Sequence, residues 1–211
     1  MKSFNQKTSV SAKRPVFDRI EKIHPLKMIN YLVISVSCIL YAVISFLFIS
    51  HLTGDLKGNF IYETPKFFVI STLILIVSTH FTFRIIRAYE TDSISHLRKM
   101  ISFSLVSGLV FFLSQSIAWM EILKLDLIFE SNGISTFLFI FSGVHFVYVL
   151  AGVVMSALLF YKYMLIENDP VKTLITTTNP HEKIKLEIFR SYWNFNVFSW
   201  TLIFLMLLFI F

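Results

Sequence analysis

At 211 residues, 55% apolar and only 15% charged, with 24 Phe and a mean hydropathy of +0.71, the chain has the composition of a membrane protein and not of a soluble domain. Its net charge of +6 suits a nucleic-acid partner in principle, but the basic residues are scattered over separate segments with no folded module to present them, which excludes that class. The single cysteine, Cys38, excludes an intrachain disulfide and a thiolate metal cluster.

In chain order, residues 1–26 read as a polar cytoplasmic tail. Residues 1–15 are Lys/Ser-rich and predicted to be disordered. Val16 to His24 has Val16, Phe17, Ile20 and Ile23 at helical spacing, which suits a short helix on the membrane surface. No h-region precedes residue 25, so no cleaved signal peptide is expected and the first span serves as the insertion signal. Apolar runs near 27–52, 66–88, 99–123, 135–162 and 188–211 each reach the ~20 residues that cross a ~30 Å hydrocarbon layer. The domain 27–211 is therefore predicted to be all-α, with five transmembrane helices. Within it, Thr53 to Asn59 is a turn-rich outer loop, Pro65 opens the second helix, and the short connector Tyr89 to Arg98 makes helices two and three antiparallel neighbours. Ser104, Ser107 and Gly108 on the third helix, and Gly152 and Ser156 on the fourth, are small-residue seams for close helix contact. Glu167 to Thr178 reads as a loop. Asn179-Pro-His-Glu182 reads as the start of the last helix: Asn as N-cap, Pro at the first position, Glu reaching back.

Charge sets the expected orientation. Segments 1–27, 84–99 and 162–190 hold 16 of the 19 Lys and Arg residues, which places the N-terminus inside and the C-terminus outside.

The spans offer little for chemistry. Phe137 to Ala157 runs 21 residues without a formal charge, with His145 inside it. A histidine there is costly unless it faces protein or water, so it reads as packed inward, and Ser78, Thr79 and His80 are read as buried in the same way. Ligation of a haem by His80 and His145 would need both to face one cavity at one depth; hydrogen-bonded packing is the better reading. No Asp or Glu occurs in mid-span, so the carboxylate relay of a proton pump is missing. Gln115 is expected to donate a helix–helix hydrogen bond. Trp119, Trp193 and Trp200 suit interfacial aromatic belts. Arg84, Arg87, Lys183, Lys185 and Arg190 fall near the inner leaflet, where they suit anionic head groups.

Several stretches carry a resemblance. Thr64-Pro-Lys-Phe-Phe-Val-Ile-Ser-Thr72, Gly108-Leu-Val-Phe-Phe-Leu-Ser-Gln-Ser-Ile-Ala-Trp119, Ser142-Gly-Val-His-Phe-Val-Tyr-Val-Leu-Ala-Gly152 and Tyr192-Trp-Asn-Phe-Asn-Val-Phe-Ser-Trp200 stand in the order of motifs in subunit III of the haem-copper terminal oxidases. From about Lys27 to the C-terminus the chain resembles the five-helix bacterial form of that family. It departs where the family has a Ser-Glu glutamate, here Ser37, a second helix-four histidine, here Tyr148, and a His and Asp in the last motif, here Asn194 and Val197. The role of the family glutamate is therefore not carried over, and the chain is a divergent member of the pattern.

The resemblance implies a subunit III-like bundle in the bacterial inner membrane, with no active site and no cofactor of its own. Haem and copper would lie in partner subunits, the catalytic subunit I among them, and phospholipid would be held between the helices. His145, Gln115, Trp119, Arg190 and Trp193 are the residues expected to bind lipid or stabilise the bundle. Two other readings stay open: an autonomous transporter or channel, and a homologue serving a quinol oxidase or nitric oxide reductase.

Overall fold

A computed structural model describes residues 24–54, 66–124 and 134–210. The tail expected to be disordered and nearly all of the surface helix expected from Val16 to His24 lie outside the described residues, as does most of the expected loop Thr53 to Asn59. The described chain is all-helical: α1 Pro25–Gly54, α2 Lys66–Glu90, α3 Ile94–Lys124, α4 Ile134–Ile166, α5 Pro170–Thr178 and α6 Pro180–Ile210.

Among the described residues α1 to α4 are long and apolar enough to cross a membrane. The fifth long helix, α6, is 31 residues and some 46 Å long, but Asn194, Asn196, Ser199 and Thr201 dilute its apolar run. Asn196, Ser199, Trp193 and Trp200 are buried, which gives the physical reason for that dilution. The polar side of α6 is turned into the bundle.

Two helix boundaries differ from the sequence expectation. The third long helix starts at Ile94, and only Thr91 to Ser93 separate it from α2. Asp92 takes φ 53°, a left-handed conformation that Asp tolerates better than most side chains, and Ser93 N–H donates back to the Ala88 carbonyl at 3.1 Å. The stretch read as a loop after Glu167 contains α5. Asp169 caps it, accepting from Val171 and Lys172 N–H at 3.1 and 3.2 Å, with Pro170 following. At Asn179 the expected cap is present, accepting from His181 N–H at 3.0 Å, but Glu182 does not reach back; its carboxylate is taken by lysines.

The core is built around α6, which packs against α1, α2 and α4, while α3 closes the bundle against α2 and α4. Gly108 and Gly152 make the closest approach possible. A Cβ on Gly108 would stand 2.4 Å from Val153 Cγ2 and 3.0 Å from Trp193 Cη2, and one on Gly152 would stand 3.2 Å from Trp193 Cε3. The two small-residue seams thus form the walls of one slot, filled by the Trp193 indole. Gly143 has nothing within 4 Å of where its Cβ would be.

This contrast is testable. Gly108→Ala is expected to destabilise the purified protein by about 1–3 kcal/mol, because Val153 is too stiff at χ1 to move aside, whereas Gly143→Ala is neutral or slightly stabilising. Thermal unfolding in detergent compares the two; equal midpoints would contradict the slot.

Candidate functional site

Three hydrogen bonds run up the contact of α2 with α6. Trp193 Nε1–H donates to Ser78 Oγ at 2.9 Å, Trp200 Nε1–H donates to Thr72 Oγ1 at 2.9 Å, and Thr82 Oγ1–H donates to Asn194 Oδ1 at 2.8 Å. The hydroxyls of Ser78 and Thr72 donate their own protons to the Leu75 and Phe68 carbonyls, leaving an oxygen lone pair for each indole. Buried donors in an apolar bundle are costly when unpaired, so these contacts fix the rotation of α6.

Across α3 and α4, Trp119 Nε1–H donates to Ser142 Oγ at 2.9 Å, and its ring lies 4.8 Å from that of Phe146. His145 is fully buried. Its ring stacks on Trp200 at 4.8 Å, meets Phe111 edge-on at 5.6 Å, and its Nδ1 lies 3.4 Å from Tyr41 Oη. The Nε2 of His145 has no hydrogen-bond partner among the described residues. Gln115, one turn from Phe111 and one from Trp119 on α3, stands between these contacts and is also fully buried. The bond expected of it is not seen: neither amide atom has a partner among the described residues.

His80 overturns an expectation. Its side chain is exposed on the outside of α2, while Ser78 beside it is buried. The helical turn explains this, since Ser78 and Thr82 face α6 and the residue midway between them must point away. His80 and His145 therefore do not share a cavity. Among the described residues no group of three or more His, Cys, Asp or Glu is arranged to hold a metal ion. Trp200 and Trp193 are core residues, at 0% and 2% exposure, and do not form an interfacial belt.

At the end of the bundle that carries the basic residues, a pocket of about 450 Å³ opens between α1, α2 and α6. Lys27, Asn30, Glu187, Arg190, Ser191 and Asn194 supply its polar lining, and Tyr31 and Phe83 its apolar wall. Lys27 and Glu187 form an ion pair across it. Arg190 has no carboxylate partner among the described residues, so the pocket keeps one uncompensated positive charge beside amide and hydroxyl groups. Of the five residues singled out from the sequence, Arg190 alone lines this pocket. His145, Gln115, Trp119 and Trp193 stand in the helix seams.

The same end is tied by ion pairs, of which Lys185–Glu182, three residues apart on α6, follows a local pattern and the others do not. Lys162 on α4 and Lys185 on α6 both hold Glu182, Arg98 holds Glu167 at 2.8 Å between α3 and the end of α4, and Lys183 holds Glu90 at 2.7 Å between α6 and α2. Burial pushes the Glu182 carboxyl up, but the two ammonium groups outweigh it and hold the group below its ordinary value.

Comparison with known families and with curated proteins finds no family model and no curated protein that matches the chain.

Because the folded pKa of Glu182 is depressed, its ionic contribution to stability is complete above the ordinary value of 4.5 and is lost as pH falls through the lower folded value. Glu182→Gln is expected to lower the thermal midpoint at pH 7 and to flatten its decline on the acid side. An acid limb as steep in the variant as in the parent would show that other carboxylates dominate.

Proposed function

We propose that the chain is a non-catalytic accessory subunit, of the subunit III type, in an aerobic respiratory terminal oxidase of a bacterial inner membrane. It spans the membrane five times with its N-terminus inside, supports the catalytic haem-copper subunit by packing, and retains phospholipid. Haem and copper belong to the partner subunits.

The observation that carries the reading is where the motif residues stand. Trp119, His145, Trp193 and Trp200 meet one another's helices in buried seams, the three indoles through hydrogen bonds and His145 by stacking on Trp200. That is the placement of residues that shape a bundle; residues that move ions line a path. The face of α6 turned away from the bundle supports a fifth span: Phe198, Leu202, Leu205 and Leu208 are all exposed. The pocket at the basic end supports lipid retention, since a guanidinium with no carboxylate partner among the described residues, beside amides and a hydroxyl, suits a phosphate head group, with Tyr31 and Phe83 against its acyl chains.

The transporter alternative would draw on the unpartnered polar atoms of Gln115, His145 and Asn196. It also needs broken helices around a central site, and α1 to α4 and α6 have no proline beyond their first residues. Whether cytochrome c or quinol supplies electrons is a property of the other subunits.

The test is co-purification of the tagged chain in mild detergent, read by a reduced-minus-oxidised spectrum and by mass spectrometry. Haem-bearing catalytic subunits in stoichiometric amount are expected. A colourless protein running alone, while a control complex survives the same detergent, would overturn the assignment. In the recovered complex, Arg190→Gln is expected to weaken phospholipid retention roughly fivefold, the factor that one basic residue of about 1 kcal/mol contributes, with the haem spectrum unchanged.

A further inference from the structure

Along the face of α2 turned away from the bundle, Ile70, Leu73, Val77, His80, Arg84 and Arg87 are all exposed. Their spacing alternates between three and four residues. It averages 3.4, close to the 3.5-residue period at which one helix lies along another in a left-handed pair. The first half of this stripe is what lipid would be given. The second half is not.

His80 stands ten residues, or about 15 Å, before the end of α2 at Glu90, and makes no hydrogen bond or ion pair with any described residue. An imidazole on a short stem reaches less far than Lys or Arg, so a histidine here needs a polar neighbour that the described residues do not supply. Arg84 and Arg87 are equally unpaired among the described residues, although Lys27, Arg98, Lys162, Lys183 and Lys185 at the same end all hold carboxylates. A single lipid phosphate answers to Arg84 or Arg87. It does not reach His80, about 6 Å further along the helix than Arg84 and about 10 Å further than Arg87. A helix laid along the stripe reaches all three levels.

We propose that this face of α2 docks a membrane-spanning helix of a partner protein. The partner presents small or aliphatic side chains to Ile70, Leu73 and Val77, a hydrogen-bonding side chain to His80, and a carboxylate between Arg84 and Arg87. The inference does not depend on the partner being an oxidase; the stripe fixes the chemistry of the docked helix in any complex.

A photoactivatable amino acid at Leu73, with one at Leu202 as control, is irradiated in native membranes and the adducts are sequenced. Position 73 is expected to join a membrane-spanning segment of another protein that carries an Asp or Glu within three to four turns toward the basic end, while position 202 joins lipid. His80→Leu is expected to leave the chain's own membrane level and thermal midpoint unchanged or higher, yet to lower recovered partner about threefold to tenfold. Arg84→Glu lowers it as well, and changing the partner's carboxylate to Lys restores it. Lipid adducts alone at position 73, adducts to a second copy of this chain, a joined segment without a carboxylate, or unchanged partner recovery in His80→Leu would each overturn the proposal.

Discussion

The Trp193 indole occupies a slot that exists only because positions 108 and 152 carry no side chain. Helices in a membrane gain nothing from hiding apolar surface from each other, since lipid is as apolar as leucine; they associate through close packing and hydrogen bonds. Trp193 supplies both at once. Its ring touches α3 at Gly108 and α4 at Gly152, and its N–H reaches Ser78 on α2. One side chain on α6 thereby registers three other helices.

The rest of the seam extends this registration in both directions along α6. Trp200, two turns on, stacks on His145 of α4, meets Phe111 of α3 and donates to Thr72 of α2. Beside Trp193, Asn194 accepts from Thr82, and toward the basic end the ion pairs Lys183–Glu90 and Lys162–Glu182 tie α6 to α2 and α4. Exposed ion pairs contribute only about 0–1 kcal/mol each, so the indole contacts carry more of the specificity. Many of the bundle's buried polar groups are spent on its own seams, while Gln115, His145 Nε2 and Asn196 Oδ1 have no hydrogen-bond partner among the described residues. At its surface stand a pocket with an arginine and a stripe with a histidine that have no ion-pair or hydrogen-bond partner among the described residues.

Much of this was legible in the sequence for a simple reason. Long apolar runs, an Asn-Pro cap at 179 and glycines at helical spacing are local signals, and α1 to α4, the start of α6 and the tight seams are local outcomes. Asp169-Pro170 carries the same signal as Asn179-Pro180, but the eight residues after it, polar in part, are too short a run to announce a helix. The facing of His80 needed the direction of Ser78 and Thr82, which only the docking of α6 fixes. The pocket needed more still. Lys27 and Glu187 are 160 positions apart in the chain, and no spacing rule brings them together.

The claim that Trp193 sets the spacing of the helices is tested most directly by a double-mutant cycle on thermal or denaturant stability, with Gly152→Ala and Trp193→Leu made singly and together. A methyl on Gly152 meets the indole in the parent and finds room once the indole is gone. The cycle is predicted to show a coupling of about 0.5–3 kcal/mol, with Gly152→Ala destabilising the parent and costing little in Trp193→Leu. Two substitutions whose effects simply add would contradict it, and the slot would then be a consequence of the bundle's packing and not its cause.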